Sequence, residues 1–157
     1  MKKLSVWVVS RVLLGWIFFW AFIDKMWGLG FATKSGNAWL DGVSPTTGFL
    51  KFGVTETFEN FFHVLAGNVW VDWLFMAGLL GIGLSLMLGV ALRISTVSGI
   101  VMLLLIYLAL FPIQHNPLID EHILYAVFLW GVYRNREQCG ARWWRKLRII
   151  SRWKFLE

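Results

Sequence analysis

Two apolar runs stand back to back in the middle of this chain, and few folds accept that arrangement. WLFMAGLLGIGLSLMLGVAL covers Trp73 to Leu92, ISTVSGIVMLLLIYLALFPI covers Ile94 to Ile113, and only Arg93 separates them. Each is 20 residues without a charge. As a helix such a run is ~30 Å long, the thickness of a bilayer's hydrocarbon core. A helix of a soluble protein carries a polar face and these runs have none, so a membrane hairpin is the reading they support. With 157 residues, 58% of them hydrophobic, and a mean hydropathy of +0.64, the chain fits one membrane domain and no separate soluble one.

The N-terminal segment extends the pattern. Lys2 and Lys3 precede Leu4 to Ile23, a run broken only by Arg11 and continuing into Asp24, Lys25 and Trp27. A signal peptide has a shorter apolar region and a small-residue cleavage site, so the segment reads as an uncleaved first helix. Arg11 lies ~10 Å deep from the lysine side, where an ionisable group must either snorkel to the headgroups or face the other helices. The 45 residues from Asp24 to Asn68 are too long for a structureless connection. Thr55 is positioned to cap a short helix with Phe58, Phe61, Phe62 and Leu65 on one side, and Gly67 and Asn68 to stop it.

In the second apolar helix Ala77, Gly81, Ser85 and Gly89 recur every four residues, with Ser95 and Gly99 as a matching pair on the third. Such a ladder predicts close helix approach. A nucleotide-binding glycine motif at Gly81 and Gly83 would need a preceding strand, which is missing. A fourth helix is predicted from Leu118 to Tyr133, with Asn116 as cap and Pro117 in its first turn. Beyond it, residues 136–157 form a basic tail. Trp143, Trp144, Leu147, Ile150 and Phe155 share one side and most cations the other, predicting a helix lying on anionic lipid rather than a nucleic-acid arm.

Four spans put both termini on one side together with Arg93. That side holds twelve lysines and arginines against two glutamates, a net of +10; the other holds three lysines against seven acids, a net of −4. The positive-inside rule makes the termini cytoplasmic and the long loop external. The fold class expected is therefore an all-α integral membrane four-helix bundle over residues 1–135, N-in and C-in, with a structured outer loop and an amphipathic interfacial tail.

All three histidines and seven of nine carboxylates fall on the loop side. Arg11, Gly15, Phe18, Phe22 and Lys25 share a helical face, as do Glu121, Tyr125 and Phe128. An apolar slot with titratable groups at its mouth suits a quinone, whose two-electron chemistry is accompanied by protons. Asp24, Lys25, Asp120, Glu121 and His122 are the candidate proton-handling groups; Arg11, Phe18, Phe22, Tyr125 and Asn116 are the candidate ring contacts. Capping and surface ion pairing are the plainer account of the same residues. His115 and His122 lack a recognised ligand spacing, so no metal is expected. The single Cys139 excludes an internal disulfide, a CxxC pair and a thiolate cage. No haem, flavin or iron-sulfur pattern is recognisable.

Several separated motifs, in order, carry a family likeness. Arg11 and Gly15 followed by FFWAFIDKMWGLGFAT, SPTTGFL at Ser44 to Leu50, VWVDWLFM at Val69 to Met76, and NPLIDEH at Asn116 to His122 together resemble the DoxX family of four-helix membrane proteins. The likeness covers about residues 5 to 135. That family is related to the DoxD subunit of thiosulfate:quinone oxidoreductase, so the resemblance implies a quinone-linked membrane redox component working with a partner subunit. Arg11, Asp24, Lys25, Asn116, Asp120, Glu121 and His122 match its motifs. An outer face of −4 is a poor collector of a dianion such as thiosulfate. The alternatives are a non-catalytic anchor or assembly subunit of a redox complex and a small lipid- or solute-binding protein. Lipid, anionic headgroups at the tail, a redox partner and a second copy of the chain are the candidate partners; nucleic acid is not.

Overall fold

A computed structural model describes residues 5–113 and 118–140. The described residues are helical, without a strand: α1 (Val6–Trp27), α2 (Thr47–Phe52), α3 (Glu59–Leu65), α4 (Val69–Leu88), α5 (Leu92–Leu110), α6 (Glu121–Arg134) and α7 (Arg136–Cys139), with single 3-10 turns at Trp39–Asp41 and Glu56–Phe58. Three of these, α1, α4 and α5, are long and apolar enough to cross a membrane. Helix α6 has 14 residues and a length of only ~21 Å. It starts later than the predicted Leu118, because Asp120 rather than Asn116 is its cap. The Asp120 carboxylate accepts the Ile123 N–H at 3.0 Å. Asn116, Pro117 and the basic tail from Ala141 onward lie outside the described residues.

Helix α1 packs on α4, α4 on α5, α5 on α6, and α6 back on α1. Leu14, Phe18 and Phe22 of α1, Met76, Leu79, Ile82 and Leu86 of α4, Leu103 of α5, and Ala126 and Leu129 of α6 fill the space between them. Around that core the spans present Leu13, Leu74, Val101 and Leu105 outward. Apolar side chains both inside and outside are what a lipid solvent requires, since hydrocarbon exerts no pressure for a polar rim.

The turn between the two central spans falls earlier than the sequence suggested. Gly89 adopts the left-handed conformation at φ 73°, and both its N–H and that of Val90 donate to the Ser85 carbonyl. Ala91, at φ 47°, then leads into α5. Arg93 is thus an exposed residue of the first turn of α5 rather than the break itself. Glycine at position 89 ends a helix, as a residue free of Cβ strain does at such positions.

The small-residue ladder does not make the helix contact expected of it. Ala77 and Gly81 are exposed, and a Cβ at Gly81 would meet nothing within 4 Å. The close approach is made one face over. A Cβ on Gly83 would stand 2.7 Å from the backbone N of Phe19, and one on Gly15 would stand 2.8 Å from the backbone N of Met87. Gly15 and Gly83 therefore let the α1 and α4 backbones cross at contact distance. On α5, Ser95 and Gly99 are buried as expected, but Gly99 receives Leu129 of α6, whose Cδ1 lies 2.8 Å from the position of its missing Cβ.

Beside this crossing, Arg11 is buried and turned toward the neighbouring helices rather than snorkelling. Its Nη1 donates to the carbonyls of Leu86 and, at 3.1 Å, Met87, while Nε has no partner among the described residues. Those carbonyls belong to the last turn of α4, where no intrahelical N–H remains to reach them and the helix dipole is negative. Arg11 serves as an external cap on α4. Next to it, α7 folds Cys139 into the core. Burial pushes the Cys139 thiol up, with the nearby Arg11 charge pulling the other way. Iodoacetamide should therefore leave Cys139 unmodified in the folded protein and alkylate it only after denaturation in dodecyl sulfate, as read by intact mass.

Candidate functional site

At the opposite end of α1 the long loop is tied down at three points, and these ties position the charged residues there. Asp24 is almost fully buried, and its carboxylate accepts the N–H groups of Thr33 at 2.7 Å and Phe31 at 3.3 Å. Asp72, also buried, receives the hydroxyls of Thr46 and, at 2.8 Å, Ser44. Ser44 in turn accepts the Thr47 N–H at 3.0 Å and so starts α2. Thr55 donates its N–H to the Ala109 carbonyl at 3.0 Å and its hydroxyl toward the Ala109 and Phe111 carbonyls at the end of α5. It caps no helix side chain to backbone, because that hydroxyl is committed to α5. Each tie gives a buried polar group its partner, which burial makes obligatory.

The titratable residues gather around the start of α6. Asp120 holds His122 Nδ1 at 2.6 Å through one carboxylate oxygen and the Ile123 N–H through the other. Burial pushes the Asp120 carboxyl up, but the donors from His122 and the α6 backbone outweigh it and hold the group below the ordinary aspartate value. With Nδ1 fixed by a carboxylate, the imidazole is set in one ring orientation and Nε2 is the atom available for proton exchange. Glu121 is exposed beside the pair. Asp120, Glu121 and His122 present one ligand atom each, all within 4.8 Å of one another. Both Asp120 oxygens are already engaged, which favours an oriented imidazole over a cation cage.

Lys25 lies in the last turn of α1, half-buried, at the same end of the helices as α6's start. Asp24 adjoins it in sequence, but its oxygens serve the loop. Tyr125 packs against the edge of the core. Phe18 and Phe22 belong to the packed interior, and the Phe18 ring comes within 3.6 Å of the Gly99 Cβ position. A ring ligand would have to displace them or lie beside them. Arg11 stands apart from this group: 14 residues along α1 from Lys25 is ~21 Å. Asn116 lies outside the described residues. Asp120, Glu121 and His122 thus lie together at the start of α6, Lys25 lies in the last turn of α1, Asp24 has a structural task, and Arg11 belongs to the other end of α1.

Two features escaped the sequence reading. Asp72 counts in the sequence as only one acid among seven on its side, yet it joins SPTTGFL to VWVDWLFM; a carboxylate opening an otherwise apolar helix is the available signal. An aromatic stack also runs up the outside of α1, with Trp16 on Trp20 at 5.8 Å and Trp20 against Phe31 at 5.2 Å. Phe31 reaches it because Asp24 holds the loop back along the helix. No family model, curated protein or solved structure matches the chain.

Proposed function

We propose that the chain is a quinone-linked redox component of the cell membrane, a four-helix protein of DoxX type with both termini cytoplasmic and the Asp120 to His122 end facing out. The observation that carries the reading is the Asp120–His122 pair, a base with its orienting carboxylate 2.6 Å away. Reducing a quinone to a quinol consumes two electrons and two protons. His122 Nε2 would deliver a proton to one ring oxygen, Asp120 would stabilise the imidazole through Nδ1, and Lys25 would hold the second oxygen or supply the other proton. Tyr125 and the aromatic stack on α1 offer apolar ring surface nearby. Electrons would come from a partner subunit, with thiosulfate the donor that the DoxX resemblance implies.

Mass spectrometry of small molecules retained after mild detergent purification tests this reading. Co-purifying quinone is expected, with occupancy reduced at least tenfold in His122→Ala and largely kept in Arg11→Lys, which changes the distant end. Equal occupancy in His122→Ala would remove His122 from the site. The packing of Phe18 and Phe22 and the structural use of Asp24 favour a second reading, a non-catalytic anchor or assembly subunit. Capture of a redox enzyme by a protein that itself retains no quinone would support that one.

A further inference from the structure

Residues 47–65 fold into a small lobe of two helices whose inner sides pack and whose outer sides do not. Leu50 of α2 and Phe62 of α3 are buried together with Ala109 in the last turn of α5, and Val71 in the first turn of α4 packs against them. Those contacts fix the lobe's height. It sits at the outermost turn of two spans, where hydrocarbon gives way to headgroups. Away from this core, Phe52 is 87% exposed, Val64 82% and Phe61 60%. In water such side chains forgo the stabilisation that burial would yield, and several of them on one small lobe mark an interaction surface.

The adjoining helix indicates what covers them. Trp70 and Leu74, in the first two turns of α4 on either side of the Val71 that packs on the lobe, are exposed as well. On a spanning helix that surface is lipid-facing. Between Thr47 and Leu65 the lobe carries Lys51 against Glu56 and Glu59, so anionic lipid does not draw it in by charge. Resting on the reading of α4 and α5 as spans, we propose that the α2 and α3 lobe is a lipid-seated wedge, its Phe52, Phe61 and Val64 side chains inserted at the headgroup boundary. Aromatic and aliphatic groups at that depth are stabilised by apolar burial alone. The loop is then a collar lying on the bilayer, not a domain standing in solvent, and it holds the neighbouring ends of α4 and α5 at a fixed depth.

Nitroxide labels at positions 52 and 64, introduced singly with Cys139→Ala in the full chain and reconstituted into phosphatidylcholine vesicles, test the wedge by electron paramagnetic resonance. Both positions are exposed, so labelling disturbs no packing; circular dichroism and sizing in detergent confirm the fold of each variant. Position 101, outward on α5, supplies the lipid reference and position 35, exposed in the loop, the aqueous one. The wedge predicts that labels at 52 and 64 relax with oxygen more than with a water-soluble nickel chelate, as at 101, and that added salt changes nothing. Nickel access like that at 35 overturns it. Protection from both relaxants, the sign of a second copy or another protein on the lobe, overturns it too. If position 101 itself reads as aqueous, the spanning reading falls and the wedge with it; if only 52 and 64 do, the wedge alone falls.

Discussion

Arg11→Ala should lower the stability of the folded protein by about 2–4 kcal/mol, measured as a shift in dodecyl sulfate unfolding of the purified protein in mixed micelles. Arg11 is 7% exposed and donates to two carbonyls that have no other donor among the described residues. A guanidinium placed inside a span costs roughly 2.5–3.5 kcal/mol on insertion scales. The end of α4 offsets this cost, because its terminal carbonyls concentrate a partial negative charge of about one half. Removing the side chain strands the Leu86 and Met87 carbonyls between packed helices and leaves a cavity where the buried guanidinium stood. Arg11→Lys should recover about half of the loss, since an ammonium keeps the charge but lacks the guanidinium's reach and fork. An alanine variant within ~0.5 kcal/mol of the parent, the usual range for surface substitutions, would mean that Arg11 points to the headgroups after all.

The second large effect separates two faces of one helix. Gly83→Ala places a methyl 2.7 Å from the backbone N and 2.9 Å from the Cα of Phe19. Backbone cannot swing aside as a side-chain tip can, so α1 and α4 must part, at a cost of about 1–3 kcal/mol. Gly81→Ala, two residues away, meets open space. It should be neutral or stabilise by up to ~1 kcal/mol, the helix propensity of alanine over glycine. The pair is read in the same unfolding assay. Loss at 81 with tolerance at 83 would restore the regular four-residue ladder as the contact face and contradict the crossing described here.

That contrast shows what the sequence disclosed. The apolar runs marked the three long helices, because length and absence of charge are local properties, but they placed the turn after α4 too late and the fourth helix too early. Which face of α4 meets α1 is not local. A glycine every four residues marks a face, but Gly83 is chosen by Phe19 and Gly15 on another helix, and no periodicity within α4 records that. Arg11 illustrates the same limit: its depth was legible, its acceptors were not, since the carbonyls it caps belong to residues 75 and 76 positions away. That Asp24, Asp72 and Asp120 stand at helix ends was legible from where the apolar runs begin and stop. The division of labour among them was not. Asp24 and Asp120 read alike as acids at helix ends, and only the return of the loop through Phe31 and Thr33 turns the first into a tether.

The account rests on α1, α4 and α5 crossing a bilayer so that the long loop and the α4 to α5 turn lie on opposite sides. Ser35→Cys and Arg93→Cys, both at exposed positions, test this most directly, with the buried Cys139 silent in each. An impermeant maleimide applied to intact cells should label position 35 at once and position 93 only after the membrane is opened. Labelling of both from the same side would contradict the crossing, and with it the site assigned to the loop end.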